Sequence, residues 1–194
     1  MSFVAGDCLK PETIENKIQD VDAVIHTLGV LFDSKEPGRS YREMNRDAAV
    51  NVARIMQAAA KDQNCVKPFV KLSSARAPIF CPQYLSYKFE AEDFIINECT
   101  NLKPVMLRPG FVYDLKHRPW SIPLKFYVDL FAKLEDLAVR DNERLRKMLA
   151  DLGVPAKSVP LSSVAHFAIE GALGRVDTPI VENKTIDQHA TLSK

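Results

Sequence analysis

Short apolar runs alternate with longer stretches of helical periodicity through the first part of the chain. Residues 2–5 (SFVA) end at Gly6-Asp7 and read as a buried strand closed by a turn. Residues 11–20 follow with Ile14 and Ile18 on one face and Pro11 in the first turn, a helical pattern. Residues 22–27 (DAVIHT) form a second β-rich run that ends at Leu28-Gly29. Residues 41–61 carry Met44, Ala48, Val52, Ile55 and Ala59 near one stripe, which predicts a long helix. A third strand is predicted over 68–72 (PFVKL), closed by Ser73-Ser74. A helix follows over 84–98 with Phe89, Phe94 and Ile95 inward. A fourth strand over 104–107 (PVML) is closed by Arg108-Pro109-Gly110.

This alternation predicts βαβ units, hence an α/β fold with a doubly wound, mostly parallel sheet and right-handed connections. Ligands of such sheets bind at the carboxyl ends of the strands. The strand-ending residues are therefore the ones from which a site is expected.

Beyond Tyr113 the pattern changes. Pro119 and Pro123 bracket a tryptophan. An amphipathic helix is then expected, with Tyr127, Leu130, Phe131, Leu134 and Leu137 on one face and Asp129, Lys133 and Asp136 on the other. It continues through RDNERLRK and stops at Gly153 and Pro155. Its apolar face reads as a lid or partner surface rather than a membrane anchor. Residues 159–163 lead into a last helix over 164–173. The chain thus divides into core elements over 1–118, a helical insertion over 119–157 and a return to the core over 158–194, all in one domain.

Charge narrows the function classes. Basic and acidic residues nearly cancel, to a formal +1, and nothing clusters into the basic face that nucleic-acid binding needs. No stretch approaches the ~20 apolar residues of a membrane span. Cys8, Cys65, Cys81 and Cys99 lack metal-like spacing and read as reduced thiols, so no metal site is expected. The amino-terminal residues lack the features of a signal or transit peptide.

The chemistry centres on Tyr84-x-x-x-Lys88. Positions i and i+4 share a helical face, so both side chains can reach one spot. A free phenol is a poor base at neutral pH, and a nearby ammonium lowers its pKa. A tyrosine so tuned exchanges a proton with a hydroxyl or carbonyl while hydride moves. Ser73 or Ser74, at the end of the preceding strand, stands where a substrate oxygen would be held. Y-x-x-x-K alone is a weak signal that an exposed helix pair would also satisfy; strand, Ser-Ser, loop and helix in sequence strengthen it. His26 fits a satisfied core histidine better than a catalytic one, and His166 fits packing. His117 and His189 have no evident partner. Arg108 suits phosphate or a carboxylate equally.

The ordered set GDCLKPETI, DAVIHTLG, YREMNRDAAVNV, FVKLSSA, YLSYKFEAE, PVMLRPGFVYD and VPLSSVAHFAI resembles atypical, extended short-chain dehydrogenases/reductases of Rossmann fold. Within them it is similar to a mitochondrial branch: the dehydrogenase-like accessory protein of the fungal coenzyme Q synthesis complex and, more distantly, the Rossmann accessory subunit of respiratory complex I. The resemblance implies NAD or NADP as cofactor, hydride transfer on a hydroxyl or carbonyl or a role in ubiquinone synthesis, and the matrix side of the mitochondrion. It implies roles for residues too. Asp7 would contact the adenine, with Thr27, Leu28 and Gly29 along the sugar and phosphates. Asn45 would order the site and Ser73 or Ser74 orient substrate. Tyr84 would be the base, with Lys88 as its partner on the nicotinamide ribose. Pro109, Gly110 and Phe111 would line the nicotinamide. Asp7 is equally suited to capping a turn, and Asn45 to a solvated helix face.

The pattern departs from that family at one place. No GxxGxxG turn occurs, and the first run resembles the family's third strand, so the pattern lacks the first glycine-rich βαβ unit. A segment preceding the chain, a second polypeptide, or loss of cofactor binding in a structural accessory subunit would each account for this. In every case a protein partner or segment is expected to cover the exposed sheet edge.

Overall fold

The computed structural model describes residues 2–77, 81–138, 144, 148 and 156–192. Its sheet has four parallel strands in the order β1 (Val24–His26), β2 (Lys67–Leu72), β3 (Leu102–Arg108) and β6 (Ile180–Glu182). Register places His26 beside Lys71, Lys71 beside Met106 and Arg108 beside Glu182. The α/β class with a parallel sheet and helices on both faces is therefore as the pattern predicts.

Strand alternation sorts the side chains. Phe69, Leu102 and Met106 face α2 (Ala48–Asp62) and α3 (Pro82–Glu98), where Ala53, Met56, Ala91 and Ile95 complete a buried core. Val70, Val105 and Leu107 face the other way, against Val164 of α5 (Leu161–Ala172) and Ile186 of α6 (Asn183–Leu192). Lys67 and Lys71 interrupt the apolar inner row of β2, and both are buried. A short parallel pair, β4 (Val112–Tyr113) with β5 (Val159–Pro160), carries the chain back beneath Gly110. At Gly110 an added Cβ would lie 2.4 Å from the Lys157 carbonyl, so only glycine permits the crossing.

Several expectations are corrected. Residues 2–5 form no strand: Phe3 and Val4 are exposed, because no described strand offers them a hydrogen-bonding partner. The Lys17 ammonium donates to the Ala5 carbonyl instead. The expected helix over 11–20 is a 3-10 turn (Pro11–Thr13) followed by the single turn α1 (Glu15–Ile18). The helix over 164–173 is not the last element. After Gly174, which has a positive φ of 71°, β6 extends the sheet beside β3 and α6 closes it. The amphipathic helix is α4 (Ser121–Ala138); its expected continuation and stop lie largely outside the described residues.

Candidate active site

Four elements converge at the carboxyl ends of β1, β2 and β3. The helix leading into α2 opens with a π-helical turn, Glu43–Asp47, a wider coil that recurs at functional sites. It turns Asn45 inward, where the side chain is buried. Asn45 Nδ2 donates to the Val30 carbonyl at 3.0 Å, and its Oδ1 accepts from the Val30 amide at 3.3 Å. Asn45 therefore fixes the loop that follows β1. Gly29 lies under it: a Cβ there would stand 2.8 Å from Asn45 Oδ1 and 3.4 Å from Lys88 Nζ. Thr27 and Leu28 are exposed at this strand end.

Helix α3 lays Tyr84, Lys88 and Glu92 along one face, four residues apart. Lys88 Nζ sits 5.1 Å from the centre of the Tyr84 ring, a cation–π contact, and donates to the Leu72 carbonyl at 3.2 Å. Burial lowers the Lys88 pKa to about 8, against the pull of Glu92. Burial also raises the Tyr84 phenol above its ordinary value, while hydrogen bonding with Ser74 opposes the rise. This corrects the sequence argument: the ammonium lies over the ring, and desolvation outweighs any acidification. Ser74 Oγ donates to the Arg76 carbonyl at 2.8 Å, whereas Ser73 Oγ is buried with no hydrogen-bond partner among the described residues.

Pro109, Gly110 and Phe111 follow β3, and the Gly110 amide donates to Asn183 Oδ1 at 2.6 Å. Asp7 caps a turn, its Oδ1 accepting from the Leu9 amide at 2.9 Å.

Sequence reasoning missed several neighbours. Tyr41 is buried, meets Tyr84 edge-to-face at 6.5 Å and donates to the Leu31 carbonyl at 3.0 Å. Hydrogen bonding with Cys81, then burial, pushes its phenol up to about 12. Beneath Lys88 lies a buried charged layer. Glu92 is fully buried and accepts from Arg108 Nη2 at 2.6 Å, while Arg108 Nη1 reaches Glu182 at 3.1 Å. The guanidinium thus pairs with carboxylates. Lys71 Nζ and both ring nitrogens of His26 are buried without hydrogen-bond partners among the described residues. Burial, then Lys88, lowers Lys71 to about 7 against the pull of Glu92. Burial, then Lys71 and Lys88, lowers His26 to about 4. His26 is a core histidine as expected, but not a satisfied one. Strand alternation from Phe69 to Ser73 and the i+4 step from Lys88 to Glu92 could have found Lys71 and Glu92. The remaining histidines acquire partners: His117 Nδ1 lies 2.7 Å from Asp114, and the His189 ring stacks on exposed His166 at 4.0 Å.

Lys88, Tyr84, Ser74 and the Asn45-held loop thus come together at the carboxyl ends of β1 and β2. No described turn supplies the backbone N–H cradle that a pyrophosphate needs. Among the described residues no group of His, Cys, Asp or Glu could hold a metal, and no helix is long and apolar enough to cross a membrane.

No protein-family profile matches the chain. It is 24% identical over 165 residues to MIOREX complex component 2 of Saccharomyces cerevisiae, an alignment that covers 65% of this chain and 59% of the relative. The chain thus spans less than two thirds of that relative's length. Among solved structures it is similar to the ADP-L-glycero-D-manno-heptose-6-epimerase of Helicobacter pylori, at 14% identity and a TM-score of 0.41, over 98% of this chain and 78% of that one.

Proposed function

We propose that the chain forms the substrate-and-nicotinamide half of a dehydrogenase/reductase-type site. The carrying observation is the Tyr84–Lys88 pair on α3, with Lys88 anchored to the end of β2 and Ser74 beside the phenol. A bound NAD(P)H would supply hydride to a carbonyl carbon. Ser74 orients the carbonyl oxygen. Tyr84, its phenol held protonated, donates the proton that the oxygen needs as it gains charge. Protonated Lys88 stabilises the phenolate left behind. The resemblance of the motif set to the mitochondrial branch of that family supports a mitochondrial setting and a hydroxyl or carbonyl substrate, or a role in ubiquinone synthesis.

The test is calorimetric titration of NADH and NADPH into the protein, then into Lys88→Met. Binding that Lys88→Met weakens about tenfold or more supports the reading. Binding that Lys88→Met leaves unchanged overturns it.

A second reading, a non-catalytic accessory subunit, is favoured by the name of the yeast relative, a component of a complex. Under it Tyr84→Phe leaves the protein's in vivo role intact while loss of its partners abolishes it.

A further inference from the structure

Helix α4 turns the wrong way for a core helix. Val128 and Ala132 face the protein, and buried Glu135 takes a two-point ion pair from Arg76 at 2.7 and 2.8 Å. The opposite arc, centred on Tyr127, Leu130 and Leu134, points outward. Trp120 is 66% exposed, Phe126 68% and Leu137 71%. Solvated side chains of this size along one helix mark a contact surface.

Two further features identify what it contacts. A groove of about 520 Å³ runs along one flank of the arc, shares Phe126 and Leu130 with it, and is lined by Lys125, Asp129, Lys133 and Lys157; Lys125 pairs with Asp129 and Lys157 with Asp187, so Lys133 is its cation on the arc side. Lys116 and Arg118 are exposed just before Trp120. Among the described side chains the arc carries no carboxylate: Asp129 is held by Lys125 and Ser158, and Glu135 by Arg76. The arc also offers almost no hydrogen-bonding groups apart from the Tyr127 hydroxyl. A protein interface of this size would read several such groups. A lipid surface reads none, asking only for apolar depth and cations at the level of its headgroups.

We propose that α4 lies flat on an anionic lipid surface. Trp120, Phe126, Leu130 and Leu134 enter the acyl boundary, and the exposed Lys116, Arg118 and Lys133 meet headgroup phosphate at its rim. An 18-residue helix is ~27 Å long, so the arc spans several headgroups without crossing the bilayer. This inference is independent of the reading of the Tyr84 site.

The experiment uses the whole chain with vesicles of phosphatidylcholine alone and of phosphatidylcholine with phosphatidylglycerol. Trp120 is the sole tryptophan, so its emission reports the arc directly. Flotation with the anionic vesicles and a blue shift of that emission are expected, both reversed by salt. Lys133→Glu weakens binding at least about five-fold. Leu130→Asp with Leu134→Asp abolishes it, with circular dichroism unchanged from the parent. Absence of binding, equal binding to neutral vesicles, or an oligomer that dissociates in the double variant would each overturn the proposal, the last by showing a protein occupant.

Discussion

Lys71 carries a buried amine into a row that would otherwise be apolar, between His26 on one neighbouring strand and Met106 on the other. Its pKa falls to about 7 from an ordinary 10.5, so between those values the unfolded chain binds more protons than the folded one. Stability must then rise with pH across that window and carry the full penalty below it. Lys71→Met removes the penalty. Its melting temperature at pH 7 is expected to rise by about 5 °C, and the climb above pH 7 to flatten. Scanning calorimetry from pH 6 to pH 10 checks this; an unchanged slope would count against a neutral amine. His26 acts in the acid range. Its pKa falls to about 4 from 6.5, so stability drains away as pH falls from 6.5 toward 4. His26→Leu should abolish that loss, seen as a flat melting temperature over the same range. Gly29→Ala tests packing, since the new methyl lies 2.8 Å from Asn45 Oδ1. It should loosen the loop after β1, read as faster amide exchange at Val30 and Leu31 while β2 and β3 stay protected.

At the scale of elements, arginine–carboxylate contacts anchor α3 and α4, and in each helix one of them uses a buried carboxylate. Arg108 holds α3 to β3 through Glu92, whose side chain is fully buried. Glu92→Gln leaves the guanidinium short of charge and should cost about 3 kcal/mol, measured by urea unfolding. Arg76 holds α4 to the segment after β2. Arg76→Ala should release amide exchange across Ser121–Ala138 while β2 and β3 stay protected. Elements like these were legible in the sequence where a periodic run was long. The helices ending at Asp62 and Glu98 and the strands ending at His26, Leu72 and Arg108 announce themselves by apolar spacing and by the polar residues that close them. The Tyr84–Lys88 pair was legible because its spacing is local. β6 was not, because only Ile180 and Val181 mark it and its pairing with β3 is a long-range fact. Residues 2–5 failed for the opposite reason: they have strand composition, but a strand exists only through a neighbour. Arg108 could not be assigned because Glu92 and Glu182 reach it only across the fold.

At the scale of the whole molecule, both sheet edges are open among the described strands: β1 pairs with β2 alone and β6 with β3 alone. Ile25 on β1 is 44% exposed, and beside it an apolar groove of about 280 Å³ runs between the sheet and α5, with Leu161 and Ile169 on its rim. A parallel sheet is ordinarily covered on both faces, and an unpaired edge recruits other strands. The isolated chain is therefore expected to self-associate as its concentration rises. Ile25→Lys places a charge on the open strand in the manner by which natural edges are blunted, and should shift the chain toward monomer with its circular dichroism unchanged. Light scattering coupled to size exclusion reads both. A parent chain that stays monomeric across the full concentration range would mean that this edge and groove are tolerated by the fold as they stand, and would remove the strongest structural argument for a covering partner.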